Sequence, residues 1–282
     1  MEYLTNTLAT PSQLASPPSR ADGIDPDLER RLRFVAAGLV QEMGVQLRLR
    51  QEVIAHAMIL LQRFYFVASF AEFAIQDIAL AVTYLSSKLN ETQKSLRDCL
   101  NVQHYMKHYH SRSSTEYIPP DYFDQTYYSG RERLLECEME VLKRLGFKVQ
   151  VALPYSLALS YARVLNLPKS VFQRIWNTLS DVNRGILPCI HDPAALACGS
   201  IWLVCRGGAG GKGGEKVKLP PGWWELFDVE NEDLGHVVAS IEAMYAWVES
   251  EKDTFAAMPW DTEGLRRLLT ARDGLKENVA SK

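Results

Sequence analysis

The chain has 282 residues, 47% of them apolar and 23% charged, a globular composition with room for one large or two ordinary domains. Its net charge of −3 leaves no basic excess to neutralise phosphates along a nucleic-acid footprint, which argues against a dedicated DNA or RNA binder. No segment approaches ~20 uninterrupted apolar residues and the amino terminus lacks the basic start of a secretory signal, so the expectation is an intracellular, soluble protein with no membrane partner.

Residues 1–24 are rich in Ser, Thr and Pro with few large apolar groups, and this composition predicts a disordered leader. From Asp25 onward helical periodicity dominates and no period-2 alternation competes with it. The first helix begins with Asp25 as N-cap, Pro26 at the first helical position and acidic residues in the first turn. The second lies in "RQEVIAHAMILLQRFYFV", where Val53, Ala57, Leu60, Leu61 and Phe64 share a stripe. The third starts near Glu72 and includes "ALAVTYLSSKLNE", with Ile78, Val82, Leu85 and Leu89 spaced as one buried face and a polar last turn of Ser86, Ser87 and Lys88. "SLRDCLNVQHYMKHY" is the fourth and "GRERLLECEMEVLKRLGF" the fifth, with "HSRSSTEYIPPDYF" as the loop between them.

The pattern then restarts. "LPYSLALSYARVLNL", "KSVFQRIWNTLSDVNRGIL", "DPAALACGSIWLVCR" and "NEDLGHVVASIEAMYAWVES" are four more helices, with "PPGWWELF" as a short candidate before the last. Laying "IALAVTYLSSK" over "LACGSIWLVCR" pairs Ile78 with Leu196, Ala79 with Ala197, Leu85 with Leu203 and Lys88 with Arg206, third in each half. The expected architecture is all-α: two tandem five-helix repeats, 25–150 and 151–250. In each, small residues such as Gly199 let a central helix be approached closely. A Gly-rich, locally basic insertion occupies 207–218, and 251–282 is a charged tail, weakly amphipathic around Leu265 to Leu269.

Candidate chemistry is sparse. The five cysteines include no C-x-x-C pair and fit buried thiols in a reducing compartment. Within the Gly-rich insertion a glycine run leads to Lys212, but Gly213 follows where a phosphate-binding loop needs Ser or Thr. His104 and His108 are spaced to share a zinc ion, yet the Glu of H-E-x-x-H is missing and a polar helix face is the simpler reading. No catalytic residue, metal or cofactor is expected. On charge alone, Lys88 is a helix-end cation favoured by the dipole.

Several stretches resemble a known family. "TYLSSKLNE" is similar to the L-A-S-K-[IV]-E-E signature ending the third helix of cyclin boxes, and "LLECEMEVLKRLGF" to the fifth-helix signature with its Glu and closing L-x-F. "LRLRQEVIAHAMILLQRFYFVASF" resembles the second helix of transcription-type cyclins. "LRDCLNVQHYMKHY", "WNTLSD" and "LPPGWWELFDV" resemble segments of cyclin L. The resemblance covers roughly Asp25 to Trp247.

It implies a nuclear, non-catalytic activator that forms a heterodimer with a cyclin-dependent protein kinase in RNA polymerase II transcription or pre-mRNA splicing, with transcription or splicing factors as further partners. Such an activator stabilises the kinase conformer whose C-helix Glu is swung inward. By the same resemblance Lys88 and Glu138 fall at positions that grip kinase backbone groups, and Leu89, Leu142, Phe147 and Val149 at positions that pack apolar surface against the kinase. Asn90 stands where the signature has its first Glu. The substrate-docking patch of cell-cycle cyclins is replaced by "RLRFVAAGL", and the Arg-Ser tail of animal cyclin L has no counterpart in 251–282. Two other readings stay open: a cyclin-fold transcription factor of the TFIIB kind that binds DNA, and an enzyme using the Gly-rich insertion.

Overall fold

The computed structural model describes residues 6–110, 116–207 and 217–258. Among these residues all regular structure is helical, and no helix is long and apolar enough to cross a membrane. The chain divides into two compact units, whose described residues are 10–110, 116–149 and 253–258 in one, and 6–9, 150–207 and 217–252 in the other.

The larger unit contains α1 (Pro11–Ala15), α2 (Pro18–Ala21), α3 (Pro26–Gln46), α4 (Gln51–Phe64), α5 (Ile75–Leu89), α6 (Leu96–His110) and α7 (Gln125–Arg144). Asp25 caps α3 as the sequence predicts, its carboxylate accepting from the Leu28 N–H at 3.4 Å. The centre is α5, which packs on α3, α4, α6 and α7. Ile78 through Val82 are buried on every side of it, as a helix surrounded by others requires.

A buried arginine, ion-paired within α3, ties that helix to the end of α4. The Arg33 guanidinium donates to Glu29 Oε1 at 2.9 Å, to the Gln62 carbonyl at 3.1 Å and to the Tyr65 carbonyl at 2.7 Å. It thus occupies two backbone acceptors at or just beyond the end of α4, where carbonyls lack intrahelical donors. A charge buried in this way must be paired and hydrogen-bonded to be tolerated.

The smaller unit holds α8 (Pro154–Val164), α9 (Lys169–Val182), α10 (Pro193–Arg206) and α11 (Asn231–Ser250), with 3-10 turns at Leu187–Cys189 and Trp223–Phe227. Here α10 is central, packed on α8, α9 and α11. Gly199 makes one approach possible: a Cβ there would lie 2.4 Å from Val237 Cγ1. The segment "PPGWWELF" forms a 3-10 turn instead of an α-helix.

Three further differences from the sequence reading have local causes. The described part of the leader is more ordered than its composition predicts, because its polar groups find partners. The Asn6 amide exchanges hydrogen bonds with the Ala152 backbone at 2.8 and 2.9 Å, and buried Ser19 accepts from the Phe70 N–H at 3.2 Å. Helix α7 begins at Gln125, before the expected Gly130. The start of the charged tail is helical, α12 (Lys252–Ala257), with the Phe255 ring 5.0 Å from that of Phe34. Residues 1–5, most of the Gly-rich insertion (208–216) and the amphipathic stretch near Leu265 lie outside the described residues.

Candidate functional site

Two helix ends meet in the larger unit. Helix α5 stops at Leu89 because the Asn90 side chain turns back to donate to the Ser86 carbonyl at 2.8 Å, while Glu91 takes a left-handed φ of 54°. Helix α7 stops because Gly146 and Phe147 both take left-handed φ, 58° and 60°. The Gly146 N–H then reaches the Lys143 carbonyl at 3.0 Å and the Phe147 N–H the Leu142 carbonyl at 2.9 Å. Glycine adopts this backbone freely, whereas Phe147 adopts it at a steric cost of about 1–2 kcal/mol.

Lys88, on the last turn of α5, ion-pairs with Glu138 of α7. Its ammonium also lies 4.4 Å from the centre of the Tyr84 ring. The Lys88 side chain is 33% exposed and that of Glu138 only 9%, so the carboxylate sits at the back of the pair and the ammonium at its solvent edge. The helical spacing puts Leu89 on the buried face of α5, but as the last residue of that helix it is 43% exposed. Phe147 is 65% exposed, and Leu142 and Val149 are half-buried. All six residues singled out by resemblance therefore belong to the larger unit, with the ion pair joining the helices that carry four of them and Phe147 and Val149 following the end of α7.

Sequence reasoning missed two apolar neighbours. Leu135 and Met139 on α7 are 39% and 47% exposed, and with Leu142 they form a stripe beside the buried Leu134, Cys137 and Val141. The spacing 135, 139, 142 was a readable signal for a second apolar face. It also missed His56 of α4. The imidazole Nε2 lies 2.8 Å from the Val149 carbonyl, and Nδ1 lies 2.7 Å from the Asn90 side-chain nitrogen. Burial holds its pKa below the usual histidine value. No local pattern signals this role, since Val149 is 93 positions away.

All five cysteines are buried, and burial pushes the thiols of Cys99 and Cys198 up to about 12 and those of Cys137 and Cys205 up to about 11. At neutral pH they are not thiolates and not nucleophiles. His104 and His108 both lie against the Tyr117 ring at 5.6 Å, and among the described residues no three His, Cys, Asp or Glu side chains are grouped to hold a metal. A cleft of about 520 Å³ between α5, α6 and α7 is crossed by an Asp77–Arg133 ion pair at 3.1 Å, a structural use of both groups.

Residues 4–150 match the family model for the cyclin N-terminal domain. The chain belongs to the cyclin family. Among curated cyclins it is 30% identical over 247 residues to Cyclin-L1 of Danio rerio, covering 86% of this chain and 47% of that protein. It is 29% identical over 290 residues to Cyclin-L1-1 of Arabidopsis thaliana, covering 99% of this chain and 68% of that one. The chain thus spans about half the length of the vertebrate cyclins it matches. Among solved structures it superposes on a chain of the yeast RNA Pol II CTD kinase CTDK-1 complex with a TM-score of 0.67 at 12% identity, covering 96% of this chain and 84% of that chain. That likeness is one of fold. The cyclin resembles cyclin-L proteins along most of its length, through both units.

Proposed function

We propose that this cyclin is the non-catalytic regulatory subunit of a cyclin-dependent protein kinase, acting in the nucleus in RNA polymerase II transcription, pre-mRNA splicing or both. The observation that carries the reading is the Lys88–Glu138 ion pair joining α5 to α7, with exposed Leu89 at the end of α5 and exposed Phe147 just after the end of α7. A charged pair of restricted exposure, on two helices whose ends carry apolar side chains left in solvent, has the make-up of an interface: apolar anchors together with groups able to form charge-assisted hydrogen bonds.

The Lys88–Glu138 pair is also pre-formed. A kinase backbone group arriving here meets a donor and an acceptor already held together and pays little to order them. The free energy available for activation is the difference in this face's affinity for the inward and outward positions of the kinase C-helix.

Co-purification from native extract tests the proposal. The tagged wild-type chain is expected to recover a protein kinase with raised activity. The Lys88→Ala/Glu138→Ala double variant should remain folded and lose at least ~30-fold in kinase affinity, the effect of removing a hot spot worth about 2 kcal/mol or more. Wild-type binding by the double variant, or no kinase recovered, would sink the reading. A shift of promoter DNA at physiological salt in that second case would favour the TFIIB-like alternative, against the net charge of −3.

A further inference from the structure

We infer that His56 and Asn90 form an internal hydrogen-bond relay that positions the two halves of the partner-binding face, one at the end of α5 and one after α7. The inference rests on the kinase-binding reading above for its consequence, though not for its geometry.

The relay's protonation pattern follows from its end groups. The Val149 carbonyl, 2.8 Å from His56 Nε2, can only accept, so Nε2 carries the hydrogen. The Ser86 carbonyl, 2.8 Å from the Asn90 side-chain nitrogen, can also only accept, so that nitrogen is an NH2 donor. It has a second hydrogen, which points 2.7 Å away at His56 Nδ1. Nδ1 must then be the bare nitrogen of a neutral ring. Each bond fixes the next: Ser86 carbonyl, Asn90 amide, His56 imidazole, Val149 carbonyl.

The bonded groups have separate structural duties. Asn90 directly follows Lys88 and Leu89, and its amide ends their helix. Val149 closes the turn that displays Phe147, with its own N–H bonded to the Phe147 carbonyl at 3.0 Å. The imidazole spans from one to the other out of α4, which packs on α5. A buried ring with both nitrogens engaged has one orientation, so it acts as a spacer of set length.

The relay also accounts for Asn90, which stands where the cyclin-box signature has Glu. A carboxylate there has no hydrogen to offer Nδ1 and presents an acceptor to an acceptor. His56 and Asn90 are thus positioning residues, acting through Lys88, Leu89 and Phe147.

Nuclear magnetic resonance on the partner-free 282-residue chain tests the geometry. Long-range proton–nitrogen spectra at neutral pH should show His56 with a protonated Nε2 and a bare Nδ1. Asn90→Asp should raise the His56 pKa, because its carboxylate is relieved when Nδ1 takes a proton. An Nδ1–H tautomer in the wild type, or an unchanged titration in Asn90→Asp, overturns the relay. The consequence is then read with the kinase that the wild-type chain captures, repurified and titrated against variants well below their melting temperatures. His56→Leu and Asn90→Ala should each weaken binding about tenfold, and the double variant should be little worse than either. His56→Gln, which keeps a donor toward Val149, should recover part of the loss at equal or lower thermal stability. Binding within twofold of wild type by both single variants would refute positioning and leave the kinase reading intact. If the wild-type chain captures no kinase, the reading on which this consequence depends fails instead.

Discussion

Phe147 shows what a single residue gives up for its place at this surface. It is an aromatic side chain, 65% exposed, on a backbone with φ of 60° that glycine adopts without strain. Neither property favours folding, and outliers of this kind concentrate where function needs a group held in one place. Phe147→Gly should therefore raise the unfolding free energy by about 0.5–1 kcal/mol, after allowance for the greater backbone entropy glycine loses. On the kinase-binding role proposed above, the same change should weaken kinase binding by tenfold or more, since an exposed aromatic side chain is lost from the proposed face. Urea unfolding and a binding titration on one preparation check both signs; a fall in stability would mean that the ring packs more than its exposure indicates. In sequence, Phe147 was recognisable only by resemblance to the closing L-x-F, because its φ depends on the hydrogen bond from its N–H to Leu142.

At the scale of elements, each unit is organised by the helix that the repeat pairing set third. The registration of α5 with α10 carries down to a detail. Lys88 lies over Tyr84 at 4.4 Å and Arg206 over Trp202 at 4.7 Å, a cation one turn after an aromatic at equivalent places in the two repeats. Close approach to α10 depends on Gly199. Gly199→Ala should gain up to ~1 kcal/mol of helix propensity and lose more to the overlap with Val237, for a net destabilisation of about 1–2 kcal/mol. Adding Val237→Ala frees the space, so the double variant should be less destabilised than the sum of the singles, by thermal or urea unfolding. Element positions were legible because helical burial repeats every three to four residues. The start of α7 was not, since "QTYYS" lies on an exposed face without an apolar stripe.

For the whole molecule, acid should act through buried histidines. Burial is the largest cause of the lowered pKa of both His56 and His191. A base whose folded pKa lies below its unfolded value of 6.5 binds more protons when unfolded, so folding stability is intact above that pH and is lost as pH falls below it. Between the unfolded and folded values the slope approaches about 1.4 kcal/mol per pH unit for each such histidine. Melting temperature measured from pH 7.5 to 5 should fall in the wild type and fall less steeply in His56→Gln. A flat wild-type profile would show that neither ring is neutral and buried in the folded state.

The sequence by itself determined the helices, the caps such as Asp25, the doubled arrangement and the apolar stripes, because these depend on spacing within a few turns. Its family signature also singled out Lys88 and Glu138 as residues to watch. Only the tertiary structure decided that they pair, that Leu89 leaves the buried face of α5, and that His56 joins Asn90 to Val149. The reason is physical: a hydrogen bond or ion pair is set by distance in space, and these partners lie 34, 50 and 93 positions apart along a chain whose local periodicity carries no record of which helix ends will meet.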